Sequence, residues 1–333
     1  MAFTRNTATN LLPTMFGLFM EIGGTSNRVI STISNAGGSV SVTTIERMKR
    51  ALSDDARRHA IALLKSPHPQ VIVFDNVNLY LRKAQQRLMN SNEMIHATNA
   101  AVISLPNVHP LAFHLPMKLA NRGKRNHATG EDVIPTAADD EHMLSSFEGV
   151  VVQLIATYCP GSELWIDKEE MLKQGDLTIP RDRPLPVSKT DTRPLGLFDV
   201  NEGSKRGIIT MLERLQEVST LGKGEWSGTT RIIAGDWLTS SNLRAARRDR
   251  TDDINGMERL EYAEEISQLF HFALNAAHMI LRLHFGNAVL DPGSLARHKG
   301  LLNRTWDAAK PNYADGKALI RHSLTARILY SLM

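Results

Sequence analysis

The stretch VIVFDN, residues 71–76, is a short apolar run that ends in a carboxylate, Asp75. A second run of the same kind, RIIAGD, covers residues 231–236 and ends in Asp236. Short runs rich in β-branched and aromatic residues predict buried strands. Two such strands side by side would bring the carboxylates together, as a divalent-metal site for phosphoryl chemistry requires. The alternative is that each aspartate caps a helix or opens a turn.

The composition is that of a globular protein able to bury a large core. The chain has 333 residues, of which 42% are hydrophobic and 22% are charged, with a net charge of +4. This weak positive charge is compatible with nucleic acid without implying it. The single cysteine, Cys159, excludes an intramolecular disulfide framework and a multi-cysteine zinc site. The lone cysteine also suggests a reducing compartment, so we expect an intracellular protein, nuclear or cytoplasmic. No apolar run approaches the ~20 residues of a membrane span, so we expect no membrane partner.

The periodicity predicts an α/β (α+β) protein with a mixed central sheet and a large helical complement. Residues 1–66 are expected to form a helical N-terminal segment, and residues 67–333 a mixed α/β domain with a loop-rich insertion around residues 160–194. Besides the two aspartate runs, a strand is expected over Ala97–Leu105. The predicted helices are Leu11–Glu21, Asn27–Asn35, Thr44–Leu52, Ala56–Leu64, Asp139–Tyr158, Ser204–Leu221, Asn242–Arg248 capped by Ser240, most of 258–285, and Ala314–Leu332.

The order of these elements resembles the core of an RNase H-like nuclease or transposase. In such a core the first strand and a strand that follows an intervening helix are neighbours, and each carries an aspartate. Converging carboxylates suit Mg²⁺ or Mn²⁺, because hard cations prefer oxygen ligands. We therefore predict Asp75 and Asp236 as catalytic residues and as metal ligands.

The identity of a third acid is left open by the sequence. In the RNase H-like core it usually comes from a later helix, where Glu264 and Glu265 are candidates, and Glu202 is another candidate ahead of the amphipathic helix. Each of them is alternatively a solvated surface acid. His271 and His278 would share one face of an apolar helix, where a histidine either assists the chemistry or is a hydrogen-bonded core residue.

Two sets of arginines are candidates for nucleic-acid binding. Arg244, Arg247 and Arg248 follow Asp236 and fall on one side of their predicted helix, where they would contact phosphates. The alternative is a face salt-bridged by the nearby aspartates Asp249, Asp252 and Asp253.

A second possible nucleic-acid contact lies near the N-terminus. Residues 27–52 resemble a helix-turn-helix, whose second helix would present Arg47 and Arg50 to DNA. The alternative is an ordinary αα-hairpin.

Several stretches also resemble an uncharacterised, multi-copy domain family of basidiomycete fungi, catalogued as domain of unknown function six-five-eight-nine. They are Val71–Asn78, Ile233–Thr239, Leu269–His271 and Pro292–Leu295, with Arg28–Thr44, Asp199–Glu202 and His322–Ile328 as further pieces. Because that family is multi-copy, the resemblance implies a transposon-derived protein with Asp75 and Asp236 as site residues and His271 near them.

The function expected from these observations is that of a transposase-like, nucleic-acid-processing protein. It would use Mg²⁺, or Mn²⁺, for phosphodiester cleavage or strand transfer on DNA. An inactive or truncated copy is one variant of this expectation. The alternative class is a non-catalytic, domesticated remnant of the same fold that binds DNA or a protein.

Overall fold

The computed structural model describes residues 10–82, 91–178 and 187–332. The chain forms two compact units, Met1–Lys118 with Thr190–Ile266, and Leu119–Lys189 with Ser267–Met333. Each unit combines two separate stretches of chain, so the grouping differs from a division at residue 66. The expected mixed α/β class is confirmed, because one five-stranded sheet is accompanied by many helices.

Strands and helices follow one another along the whole of the described chain. The strands are β1 (Gln70–Leu81), β2 (Glu93–Ser104), β3 (Thr192–Phe198), β4 (Arg231–Gly235) and β5 (Ala263–Ser267). The helices are α1 (Leu11–Ile22), α2 (Asn27–Asn35), α3 (Val42–Lys65), α4 (Leu115–Arg122), α5 (Ala137–Tyr158), α6 (Lys168–Thr178), α7 (Lys205–Ser219), α8 (Lys223–Ser227), α9 (Trp237–Asp249), α10 (Leu269–His284), α11 (Leu295–Leu301) and α12 (Tyr313–Ser331). None of the helices in these ranges has the length and apolar character that a membrane crossing requires.

The sheet lies in the first unit and has the strand order β3-β2-β1-β4-β5. β1 pairs antiparallel with β2, β2 pairs antiparallel with β3, and β1 pairs parallel with β4. The prediction missed β3, whose first residues it placed in a loop-rich insertion, and β5, which it placed in a helix. Both are edge strands, and edge positions tolerate the Pro194 and Gly196 of β3 and the two glutamates of β5, which weaken a strand pattern.

One face of the sheet carries the core of the first unit. Ile72 and Phe74 of β1 are both 1% exposed and belong to a single apolar cluster with residues of α3, α7 and α9. Side chains alternate along a strand, so Val71, Val73 and Asp75 project from the opposite face. The alternation that buries the core therefore directs Asp75 away from it.

The N-terminal helices pack around a smaller cluster of Met20, Ile30, Val40 and Ile45. The prediction of two helices between Thr44 and Leu64 was wrong, because α3 is continuous across both. No proline or glycine interrupts 42–65, so nothing breaks the helix there. Ser41 caps α3 by accepting a hydrogen bond from the Thr44 amide at 3.2 Å.

The second unit is helical in its described parts. α5 packs against α6, and α12 packs against α5, α10 and α11. Its apolar centre contains Leu281, Leu295 and Leu319, each less than 5% exposed. The expected insertion at 160–194 therefore contributes α6 to this unit and the start of β3 to the sheet; residues 179–186 of it lie outside the described ranges.

Candidate functional site

The two aspartate strands are neighbours and run parallel. Val71 aligns with Ile232, Ile72 with Ile233 and Val73 with Ala234. Continuing this register by two residues places Asp75 beside Asp236. Because β4 ends at Gly235 while β1 continues, both carboxylates lie at the carboxyl end of β4, where a parallel strand pair opens to a ligand.

Asp236 is the N-cap of α9. Its Oδ1 accepts a hydrogen bond from the Thr239 amide at 2.6 Å. The helix therefore begins at Trp237, and the expectation that Ser240 caps a helix starting at Asn242 was wrong. Asp236 therefore does cap a helix, as the alternative interpretation expects. The cap uses one carboxylate oxygen, Oδ1, and the other oxygen can still bind a ligand.

Glu202 is the acid that joins the two aspartates. It lies in the connection between β3 and α7, and it is 1% exposed. Burial raises the pKa of Glu202 to about 7; a hydrogen bond from Thr239 opposes the rise, and the charges of Asp75 and Asp236 add to it. The charges of Asp75 and Asp236 both act on Glu202, so these three carboxylates from three elements lie near one another. We call Asp75, Glu202 and Asp236 the acidic cluster.

Thr239 connects two members of the acidic cluster. Its amide donates to Asp236, and its hydroxyl donates to Oε2 of Glu202 at 3.3 Å. A Cβ at Gly235 would lie 2.5 Å from Cγ2 of Thr239, so only glycine fits at the end of β4. The pattern Gly-Asp-x-x-Thr is visible at residues 235–239, but no link from Thr239 to Glu202 and no steric role of Gly235 was predicted from it.

Gly207 allows the connection that carries Glu202 to lie against α7. A Cβ at this position would be 1.8 Å from the backbone oxygen of Asn201. We expect Gly207→Ala to lower the free energy of unfolding by about 2–4 kcal/mol, because the backbone beside Glu202 must move. Urea unfolding measures this.

The matched control for that variant is Gly224→Ala in α8. A Cβ at Gly224 meets nothing within 4 Å, and alanine favours a helix over glycine by up to about 1 kcal/mol. This control should be neutral or stabilising. An equally small effect at both glycines would contradict the close approach at Gly207.

The other candidate third acids are engaged in ion pairs. Glu264 pairs with Lys118 at 2.9 Å. Glu265 pairs with Arg247 and lies 3.6 Å from Arg244. Both glutamates therefore form ion pairs within the first unit. Among the candidate third acids, Glu202 is the one that lies beside the two aspartates.

The three arginines of α9 do not share one environment. Arg247 is 13% exposed in its side chain and also donates to the Ala263 carbonyl at 2.8 Å, so it faces β5. Arg244 and Arg248 are exposed. The aspartates of the alternative interpretation pair with other residues: Asp249 with Lys205, and Asp253 with Arg250.

The remaining candidates lie elsewhere in the fold. Arg47 and Arg50 are exposed in the first half of α3. His271 belongs to the second unit, in the first turn of α10, where its ring meets Phe270 edge to face at 5.5 Å. His278 contacts the Pro311 carbonyl at 3.2 Å, as expected of a hydrogen-bonded core histidine.

The acidic cluster supplies the donor chemistry that Mg²⁺ or Mn²⁺ prefers, namely carboxylate oxygens alone. Burial and mutual repulsion raise the pKa of Glu202, and a cation among the three groups would relieve both. In the described ranges, however, no group of three or more His, Cys, Asp and Glu side chains is spaced as a finished metal site. A cation would therefore have to draw the carboxylates closer.

Fold and site together define a mixed α/β protein with an acidic cluster at the end of two parallel strands. Residues 122–333 match the Family of unknown function (DUF6589), and the chain belongs to that family. This confirms the family expected from the sequence. The matched residues include Glu202 and Asp236, whereas Asp75 lies before them. No curated protein and no solved structure matches the chain.

Proposed function

We propose that the chain is a transposase-like, nucleic-acid-processing protein with an RNase H-like core. It would cleave phosphodiester bonds, or transfer strands, with Mg²⁺ or Mn²⁺ held by Asp75, Glu202 and Asp236. The convergence of these three carboxylates beside the parallel pair β1 and β4 carries the proposal. We further propose a transposon origin in a fungal genome and action on DNA in the nucleus, with the cytoplasm as the other intracellular location.

The topology supports this assignment. The first strand and the strand that follows the intervening helix α7 are neighbours, which is what an RNase H-like core requires. One difference is that the third acid precedes α7 instead of lying on a later helix. The connection between β3 and α7, which carries Glu202, is held close to the sheet by Thr98 of β2. The hydroxyl of Thr98 donates a hydrogen bond to the Val200 carbonyl at 2.6 Å.

The residues of the cluster have separable roles in the proposed reaction. When bound, a divalent cation would help to ionise a water molecule and would stabilise the leaving oxygen. Asp75 supplies a carboxylate from β1, and the amide of Thr239 holds Asp236 in one orientation. The hydroxyl of Thr239 orients Glu202. With a pKa of about 7, Glu202 holds its proton for part of the time near neutral pH in the metal-free protein, and binding of a cation would release that proton.

The direct test is a cleavage assay with labelled single- and double-stranded DNA and RNA, in Mg²⁺, Mn²⁺ or EDTA. Cleavage in either cation and none in EDTA is the expected result. Binding of nucleic acid without cleavage under any condition would overturn the enzyme assignment.

A non-catalytic remnant of the same fold is the second candidate, and one observation favours it. Asp236 already has a structural role as the cap of α9, and Thr239 donates one hydrogen bond to Asp236 and one to Glu202 without a cation. A domesticated protein that binds DNA or another protein would retain these contacts. In that case the binding would not respond to replacement of Asp75.

Phosphate contacts are assigned to the exposed arginines of α9. We expect Arg248→Ala to reduce the slope of log K against log salt concentration by about one for DNA binding, because one phosphate contact is lost. Fluorescence anisotropy at several salt concentrations measures the slope. An unchanged slope would remove Arg248 from the interface.

Arg247→Ala is the matched comparison for Arg248→Ala. It leaves Glu265, which is 10% exposed in its side chain, without its close partner. We expect this variant to lower the free energy of unfolding by about 3–5 kcal/mol. A folded Arg247→Ala protein with a reduced salt slope would instead place Arg247 at the phosphates.

A further inference from the structure

One face of α9 carries three exposed side chains and begins beside the acidic cluster. They are Trp237, Arg244 and Arg248, which align along the helix with the half-buried Ser241 between the first two. Trp237 directly follows Asp236 and is 58% exposed. The opposite face of α9 contributes Leu243 and Ala246 to the core, so the helix is fixed in this orientation.

The side chains of Trp237 and Arg244 make a cation–π contact. The guanidinium carbon of Arg244 lies 5.0 Å from the centre of the Trp237 ring. Arg244 is itself held by the Ser240 carbonyl at 3.4 Å and by Glu265 at 3.6 Å. These contacts order the indole at the surface, so little entropy would be lost when a flat ligand stacks on this pair.

The exposure of Trp237 contrasts with the burial of the other tryptophan of this unit. Trp226 is fully buried and stacks with Arg231 at 4.5 Å inside the core. An indole left in water forgoes the gain of burial, which is about 2 kcal/mol for a large apolar side chain. A tryptophan that is ordered, exposed and next to a candidate catalytic acid is suited to contact a substrate.

We propose that Trp237, supported by Arg244, stacks an unpaired base of a nucleic acid whose backbone passes the acidic cluster. The substrate class would then be single-stranded nucleic acid, or a locally unpaired segment of a duplex. This inference rests on the proposed function. Base stacking on an aromatic ring tolerates any sequence, and Arg244 and Arg248 supply the positive charge that the backbone requires.

Binding of labelled oligothymidylate and of a duplex of mixed sequence tests the inference. All proteins carry Asp75→Asn, so that cleavage does not disturb the measurement, and binding is followed by fluorescence anisotropy. Trp237→Ala is expected to weaken binding of the single strand by about 5- to 150-fold, the range observed for loss of one stacked base. Trp237→Phe keeps an aromatic face and is expected to weaken it by about threefold at most.

The duplex and Leu238→Ala provide the controls. Leu238 is the next residue and is 48% exposed, but it has no aromatic face. Its replacement, and binding of the duplex to Trp237→Ala, are each expected to change affinity by less than about twofold. Intrinsic fluorescence should also be quenched by oligothymidylate in the parent protein and much less in Trp237→Phe.

The possible outcomes separate the inference from the proposed function. Equal weakening of single strand and duplex by Trp237→Ala, or equal weakening by Trp237→Ala and Trp237→Phe, would overturn base stacking. If Trp237→Ala binds the single strand as tightly as the parent protein does, base stacking is also overturned, but the proposed function is not. Failure of the parent protein, and of the chain with Asp75 restored, to bind any nucleic acid would overturn both.

Discussion

Replacing Asp75 by asparagine is expected to abolish both the stabilisation of the folded protein by Mg²⁺ and the cleavage of nucleic acid. Asparagine keeps the shape of the side chain and removes its charge, so a hard cation loses a ligand. If the cation supplies about 4 kcal/mol of transition-state stabilisation, cleavage falls by about 1,000-fold. At 100 times its Kd, Mg²⁺ should stabilise the wild-type protein by about 2.7 kcal/mol and the variant not at all.

The same change should leave the metal-free protein as stable as the wild type, or more stable. The charge of Asp75 is one cause of the raised pKa of Glu202, so its removal relieves repulsion within the acidic cluster. Thermal unfolding in EDTA and in Mg²⁺ measures both effects. Asp54→Asn, at an exposed acid of α3, is the matched control for loss of one charge. A normal Mg²⁺ response in Asp75→Asn would exclude Asp75 as a ligand.

Asp236→Asn separates the two roles of Asp236. Asparagine caps a helix about as well as aspartate, so the start of α9 and its stability should be preserved. A cation ligand would nevertheless be lost. In EDTA the variant should be at least as stable as the wild type, because repulsion of Glu202 is again relieved, and it should lose the stabilisation by Mg²⁺.

The sequence predicted those elements whose signal is local. The runs at Val71–Phe74 and Ile232–Ala234 are strongly β-prone and lie on core strands. α7 has a clear apolar period, and α5, α7 and α12 each begin at a residue whose side chain caps the helix. The start of α9 was misplaced by five residues because Ser240 is also a typical N-cap residue, and only the fold shows that Ser240 lies buried inside the helix. β3 and β5 were missed because edge strands carry residues that a central strand would exclude.

The acidic cluster was only partly predictable, because it depends on packing between distant segments. Asp75 and Asp236 stand at the ends of obvious runs. Glu202 stands among polar residues, and nothing local indicates that it is 1% exposed. Its burial follows from the close contact of Asn201 with Gly207 and from Thr239, which lies 37 residues away in the chain. Likewise, the sequence did not show that Arg247 is engaged by β5 whereas Arg248 is exposed, because β5 itself was not predicted.

Glu202 is expected to make the metal-free protein less stable as the pH rises from about 4.5 to 7. In the unfolded chain this carboxyl ionises near 4.5, whereas its folded pKa is about 7, so the folded state binds more protons throughout this window. The stability that the neutral group contributes is fully present below 4.5 and is lost as the pH passes 7. The difference between the two values corresponds to about 3 kcal/mol.

Glu202→Gln removes this dependence, because glutamine is neutral at every pH. Between pH 4.5 and 8, the free energy of unfolding of the variant should rise by about 3 kcal/mol relative to that of the wild type. Urea unfolding in EDTA measures this difference. Glu213→Gln, at an exposed glutamate of α7, is the matched control and should show no such gain. A constant difference between Glu202→Gln and the wild type across this range would contradict a raised pKa. In Mg²⁺ the wild type should regain the lost stability, because cation binding favours the ionised carboxyl and releases its proton.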